Sequence, residues 1–206
     1  MAPARRLVLA SASPARARLL RHAGFAPEVV ASGVDEAAYL DGSNGSAEPS
    51  EVVVRLAVAK AEEVASRPET SGAVVVACDS LLDVDGVAYG KPGSTDEAAG
   101  RLWGLRGATA VLCTGHCVIE TGSGARAAEA AATEVHFGEF SAEELHDYLD
   151  TGEALGVAGG FTLDGYFAPF VDGISGDHGN VIGLSLPVFR RLLGVLGVSV
   201  TDLWDR

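Results

Sequence analysis

Residues 73–77 read Ala-Val-Val-Val-Ala, an apolar run rich in β-branched side chains with no position left to face water. A strand half in solvent alternates, so an unbroken run marks a strand buried on both faces, and its sheet must be covered on both sides. The flanking sequence supplies the covering helices. Ser13 is placed to cap a helix with Pro14 at its first position, running to about Ala23 and ended by Gly24. Ser50 is placed to cap a second helix over residues 51–66, and residues 96–105 predict a third. Ser141 with Glu144 makes the capping box of a fourth, and residues 186–196 a closing helix. Strands are predicted at residues 7–10, 27–31, 109–120 and 126–137, with a hairpin over 82–89 turning at Asp85-Gly86. Residues 32–50 predict a mobile polar loop, and residues 152–183 an irregular segment rich in Gly and aromatics. With no internal repeat and no linker, the reading is one mixed α/β domain over residues 1–206.

The chain is long enough to bury a sizeable core, and its 48% hydrophobic content excludes wholesale disorder. Twenty-eight acidic against fifteen basic side chains leave a net charge of -13. That excludes nonspecific nucleic-acid binding, which needs a basic face to displace counterions. It does not exclude a nucleotide, because a few local cations and a metal reverse the field inside a cleft. No apolar run approaches the ~20 residues of a membrane span. The apolar stretch after Arg5-Arg6 is too short for a signal-peptide core, so the expectation is a cytoplasmic protein with no membrane partner. Three cysteines without disulfide-like spacing fit a reducing compartment.

The basic residues are unevenly spread. Only two lysines occur, Lys60 and Lys91, and no Lys or Arg falls between Arg126 and Arg190, where there are eleven acidic residues. At 100° per residue, Arg16 lies within about 40° of Leu20 and Ala23, on the apolar stripe of its helix, whereas Arg18, Arg21 and His22 face elsewhere. An inward Arg beside a helix N-terminus can grip an anion; the alternative is a stem snorkelling off a structural helix. Lys60 lies within about 20° of Val53, mid-stripe, where a buried amine needs a partner; the alternative is a purely structural ion pair. Asp79, just after the apolar run, is placed past a strand end where α/β sheets bind ligands, either as a metal ligand or as a general base on water. Lys91 sits in Gly90-Lys91-Pro92, a loop that is not a phosphate-binding Walker A sequence yet still carries a compact charge.

Other candidates carry less. Asp83-Val84-Asp85-Gly86 resembles an aspartate-nucleophile motif but belongs to the predicted hairpin turn. Cys113 and Cys117 would stand ~13 Å apart on an extended strand, too far for one ion, so they and His116 read as strand residues. His178 reads as a loop residue.

In order, LASASPARARLLRHAGF, Ser32-Gly33-Val34-Asp35-Glu36, VVVRLAVAKAEEVA, ACDS, GKP, LWGLRGATAVLCTGH, YLDTGEALGVAGGFTLDG and GNVIGLSLP resemble the blocks of the Maf family of nucleoside triphosphate pyrophosphatases, also called septum-formation inhibitors. The resemblance covers essentially the whole chain. It implies the elongated Maf/ITPase-like α/β fold, a mixed sheet with two lobes around a central cleft. It also implies metal-dependent hydrolysis of a nucleoside triphosphate to the monophosphate and pyrophosphate, clearing noncanonical or surplus nucleotides, with Mg²⁺ or Mn²⁺ as cofactor. By the same resemblance Arg16 and Lys60 bind phosphates, Lys91 stabilises the pyrophosphate end, and Asp79 with Glu36 handle metal and water. Ser11 and Ser13 supply hydroxyl and loop contacts to phosphate. The chain departs from the family pattern at Ala15, where a cation is common, at Ser185, and at Asp164, where Gln lies close to the reacting phosphates. An Asp there offers metal ligation or water activation. The base is left open among uracil or thymine, cytosine and a methylated guanine, and homodimerisation is common in the family. The competing class is a nucleotide-binding regulator of septum formation with little turnover.

Overall fold

Three long strands, β3 (Val74–Val84), β5 (Thr109–Glu120) and β6 (Ala125–Phe137), run through the molecule as neighbours. The structure is a computed structural model and describes residues 5–36 and 48–205. Around these strands lie β1 (Leu7–Leu9), β2 (Glu28–Val29), β4 (Val87–Tyr89) and β7 (Val171–Ser175). The sheet order is β2-β1-β3-β5-β6-β7, with β4 folded onto β3 as a hairpin. Both β2 and β3 pair with β1 in parallel, and the pairs from β3 to β7 are antiparallel. The sheet is therefore mixed.

Six helices are described: α1 (Pro14–His22), α2 (Pro49–Ala65), α3 (Thr95–Leu105), α4 (Ala142–Asp150), α5 (His178–Ile182) and α6 (Leu186–Val195). The double burial expected of the Val-rich run is met by helices on opposite faces. Val75 and Ala77 meet Ala57, Ala61 and Val64 of α2, while Val74, Val76 and Cys78 meet Leu20 of α1 and Val188 and Phe189 of α6. Farther along the same strands a second core takes over. Leu82, Leu112, Val135 and Phe137 pack with Leu102 of α3, Leu145 of α4 and the rings of Phe140, Phe161 and Phe167. Edge-to-face stacking, with Tyr148 and Phe167 centroids 4.9 Å apart and Phe137 and Phe161 5.0 Å apart, fixes this second lobe. Tyr148 donates to Gly160 O at 3.0 Å, pinning the segment that leads to Asp164.

Several expectations need correction. The apolar run does not end near Ala77: β3 continues to Val84, because β5 pairs with it residue by residue through Asp79↔Gly115 and on to Asp83↔Val111. The second helix begins at Pro49, not after Ser50; Glu48 is its N-cap without a side-chain cap bond, and proline's fixed φ and missing N–H suit the first position. The strand expected at 27–31 is only Glu28–Val29. Within the irregular segment 152–183, β7 adds an edge strand against β6 and α5 a short helix. Of the loop at 32–50, residues 37–47 lie outside the described residues. The caps at Ser13 and Ser141, the capping box with Glu144 and the Asp85-Gly86 turn are found as expected; Asp83 Oδ1 accepts from Gly86 N at 2.8 Å.

Candidate active site in a cleft between the lobes

A single short strand opens the site. β1 pairs with β3 only from Leu7↔Val74 to Leu9↔Val76, with Ala10 N donating to Val76 O at 2.8 Å, and the chain then turns through Ser11–Ser13 into α1. The next residues of β3, Cys78 to Leu81, have β5 on one side but no β1 on the other. Asp79 therefore lies mid-strand in β3 yet beyond the C-terminal end of its parallel neighbour, the position at which α/β sheets collect ligands. A cleft of about 850 Å³ opens there, lined from one lobe by Ser11, Ser13, Arg16, Arg18, Glu36, Lys60, Asp79 and Ser80. Tyr89, Lys91, Arg101, Phe161 and Asp164 line it from the other.

On the α2 face of the sheet stands a three-charge cluster. Lys60 Nζ donates to Asp79 Oδ1 at 2.5 Å and to Glu36 Oε1 at 2.6 Å. The Lys60 and Asp79 side chains are 6% and 9% exposed, that of Glu36 46%. Lys60 reaches this point because its helix lies unusually close to the sheet. Gly115, opposite Asp79 on β5, has no side chain, and a Cβ there would stand 2.2 Å from the Val53 carbonyl of α2. An isolated glycine inside a strand is a sign of such an approach.

The two carboxylates are driven apart electrostatically. For Asp79, burial outweighs the Lys60 and Arg16 charges and, with Glu36 adding its repulsion, lifts the carboxyl above its usual value. For Glu36, burial raises the carboxyl, but the hydrogen bond and charge of Lys60, with Lys91 and Arg16 behind it, bring the net result below the usual value.

On the other face stands Arg16. Its Nε donates to Gly183 O at 2.7 Å, Nη1 to Ser11 Oγ at 3.0 Å and Nη2 to Ser80 Oγ at 3.1 Å. Ser80 Oγ lies 2.9 Å from Thr114 Oγ1, which donates to Asn180 O at 3.0 Å. Because the Thr114 proton is committed to that carbonyl, Ser80 donates to Thr114 and is left as an acceptor for Arg16. Three of the five guanidinium N–H groups are thus held, and among the described residues the other two have no hydrogen-bond partner. Ser13 Oγ caps α1 by accepting from Arg16 N at 3.4 Å, and Ser11 Oγ accepts from Ser13 N at 3.3 Å. Both serines order the turn that aims the α1 N-terminus into the cleft.

Lys91 is exposed on the cleft wall. The carbonyl of Gly90 before it accepts from Arg101 Nη1 at 2.6 Å and from Gly159 N at 3.1 Å, tying the lysine loop to α3 and to the segment bearing Asp164. Asp164 Oδ2 accepts from Arg18 Nη2 at 2.9 Å. Arg18 therefore does line the cleft, against the helical-wheel expectation, because the start of α1 projects into the cleft and exposes more than one face there.

All eight residues singled out from the sequence line this one cleft: Ser11, Ser13, Arg16, Glu36, Lys60, Asp79, Lys91 and Asp164. Sequence reasoning missed Arg18, Ser80, Gly115 and Arg101; only Gly115, a glycine inside a strand pattern, carried a usable signal. The weaker candidates stay outside it. Cys113, His116 and Cys117 are buried on β5, and His178 is an exposed residue at the start of α5. Among the described residues no three His, Cys, Asp or Glu side chains group as a metal site, so a cation here would rest on two carboxylates. No helix among them is long and apolar enough to cross a membrane.

In this mixed α/β fold, cations and a carboxylate pair converge in one cleft beyond a parallel strand end. The chain belongs to the Maf family: the family model for Maf-like protein matches residues 6–196. It is 55% identical over 202 residues to a Streptomyces coelicolor protein named nucleoside triphosphate pyrophosphatase, covering 98% of this chain and 96% of that one. Proteins of the same name from Streptomyces avermitilis, 54% identical with the same coverage, and Rhodococcus erythropolis, 49% identical covering 96% of each chain, are similarly close.

Proposed function

We propose that this protein hydrolyses a nucleoside triphosphate to the nucleoside monophosphate and pyrophosphate. The observation that carries the reading is the Glu36–Lys60–Asp79 cluster beside Arg16 in one cleft. A binding protein that only senses a nucleotide needs cations for the phosphates, but it has no use for two carboxylates aimed at the same point. The family membership and the names of its relatives support the same reaction.

The geometry supports a role for each residue. Arg16, with its two uncommitted N–H groups, and the α1 N-terminus hold phosphate oxygens. Asp79, the carboxyl lifted by burial, is the proton acceptor, since a base works best with its pKa nearer the working pH. Water attacks the α-phosphorus, the bond from that phosphorus to the bridging oxygen of the β-phosphate breaks, and the water proton passes to Asp79. Lys91 meets the charge that develops on the departing pyrophosphate. Lys60 holds the two acids in register. Glu36, kept ionised, is the better charge for a cation.

A divalent cation fits the donor set. The Asp79 and Glu36 oxygens that share Lys60 lie within about 5 Å of one another, and Mg²⁺ or Mn²⁺ is held by one or two carboxylates plus substrate phosphates. When bound, such a cation would neutralise phosphate charge and polarise the attacked phosphoryl group. Asp164 is apart from this pair: it accepts from Arg18 on the cleft wall. We place the activity in the cytoplasm, as a house-cleaning hydrolase, and a homodimer is compatible with it.

The test is a pyrophosphate-release screen over standard and modified triphosphates with Mg²⁺ or Mn²⁺. Asp79→Asn is expected to abolish turnover while keeping the wild-type circular dichroism. Binding without turnover of every nucleotide by the wild-type chain would leave only the regulator.

A further inference from the structure

The cleft carries its own competitor for the phosphates. Arg18, on α1, and Asp164, 146 positions later in the other lobe, both line the cleft and meet as an ion pair at 2.9 Å. Their side chains are 53% and 29% exposed, and Arg18 makes this bond through Nη2 alone. Arg16, two residues earlier on the helix, is held instead by a carbonyl and two hydroxyls, all neutral. Of the two arginines entering the cleft from α1, only Arg18 is paired with an anion.

We propose that Asp164 stands in for a substrate phosphate: it occupies Arg18 before substrate binds and surrenders it to the incoming triphosphate, which makes Arg18 a phosphate-binding residue and Asp164 an internal brake on affinity. The proposal rests on the reading of the cleft as a triphosphate site. The balance of forces favours the exchange. A half-exposed ion pair is a weak lock, whereas a polyphosphate offers several charged oxygens and accepts the planar guanidinium fork in bidentate fashion. Arg18 and Asp164 both already line the cleft, so the exchange takes place at its wall. Asp164 is left partly solvated at the rim, where an unpaired carboxylate is tolerated. The proposal also separates Asp164 from the acids that share Lys60, because its partner is Arg18.

The probe is inorganic tripolyphosphate with Mg²⁺, which needs no knowledge of the base, titrated calorimetrically into the wild type, Asp164→Asn, Arg18→Gln and the double variant. Asp164→Asn is expected to tighten binding about twofold to fivefold, the worth of a surface pair. Arg18→Gln is expected to weaken it about tenfold, the worth of one charge-assisted contact. In the Arg18→Gln background, Asp164→Asn then has no further effect. Arg18→Lys should fall between, since an ammonium keeps the charge without the fork. If both single variants weaken binding alike, the pair is a structural clamp and the proposal fails. It also fails if Asp164→Asn weakens binding of Mg²⁺ or Mn²⁺ titrated alone, which would make Asp164 a metal ligand. Wild-type binding that Arg18→Gln leaves unchanged refutes the exchange but not the cleft. A wild-type chain that binds no tripolyphosphate refutes the cleft assignment and this proposal with it.

Discussion

Gly115→Ala is the most direct probe of how the fold builds the site, because Gly115 is not among the residues that line the cleft. A Cβ at this position would stand 2.2 Å from the carbonyl carbon and oxygen of Val53 and 2.5 Å from Val54 N, whereas ordinary contacts begin near 3.4 Å. Those atoms are helix backbone and cannot rotate aside, so α2 must retreat by about 1.2 Å. Lys60 rides on the same helix two turns further on. The same retreat would stretch its 2.5 Å bond to Asp79 to roughly 3.7 Å, beyond hydrogen-bond range. A misplacement of that size costs on the order of 100-fold in turnover. Overpacking costs about 1–3 kcal/mol, which for a domain of this length lowers Tm by about 2–12 °C. Pyrophosphate release measured well below Tm separates the two effects, since at that temperature the variant is still folded. A folded Gly115→Ala protein with wild-type kcat and unchanged Tm would show that the close approach of α2 does not set the Lys60–Asp79 geometry.

Two further outcomes use the same assays. Gly104, inside α3, has open space where a methyl group would stand, with no atom within 4 Å, so Gly104→Ala should raise stability by about 0.5–1 kcal/mol with unchanged turnover; a fall in Tm would contradict that open space. His116 is fully buried and accepts from Ser185 N at 2.7 Å, and burial, with Arg16 adding, pushes its pKa down to about 4. The unfolded chain therefore binds a proton that the folded one refuses between about pH 6.5 and 4, and stability should fall by about 3 kcal/mol as pH drops through that window. His116→Gln, which keeps an acceptor for Ser185, should flatten that part of the urea-stability profile, and parallel profiles for the two proteins would rule out His116 as the source.

The site was legible wherever one residue broke a strong pattern. Lys60 sits mid-stripe on an apolar helix face, and burial there forces a partner, which is what Asp79 and Glu36 supply. Arg16 was found in the same way. Arg18 was not, because a helical wheel assumes one buried face and one wet one, whereas the first turns of α1 enter a cleft and are lined on several sides. The extent of β3 escaped for a related reason. Asp79 and Ser80 interrupt the apolar run, and only the register with β5 carries the strand past them. β7 reads Val-Asp-Gly-Ile-Ser, too polar and too short to announce itself, and it forms on the edge offered by β6. The ion pair between Arg18 and Asp164 joins positions that no local pattern links.

The brevity of β1 has a consequence of its own. Along any strand, neighbours such as Asp79 and Ser80 look away from each other, and in an intact sheet no single ligand could meet both. Where β1 stops, the sheet has a notch, and on the proposed function a ligand seated there would meet Lys60 and Asp79 on one flank and Arg16, oriented by Ser80, on the other. The reacting molecule would thus complete the sheet's outline much as a further strand would. Extending β1 by even a pair of residues would mend the notch and leave two half-sites on opposite sides of a wall.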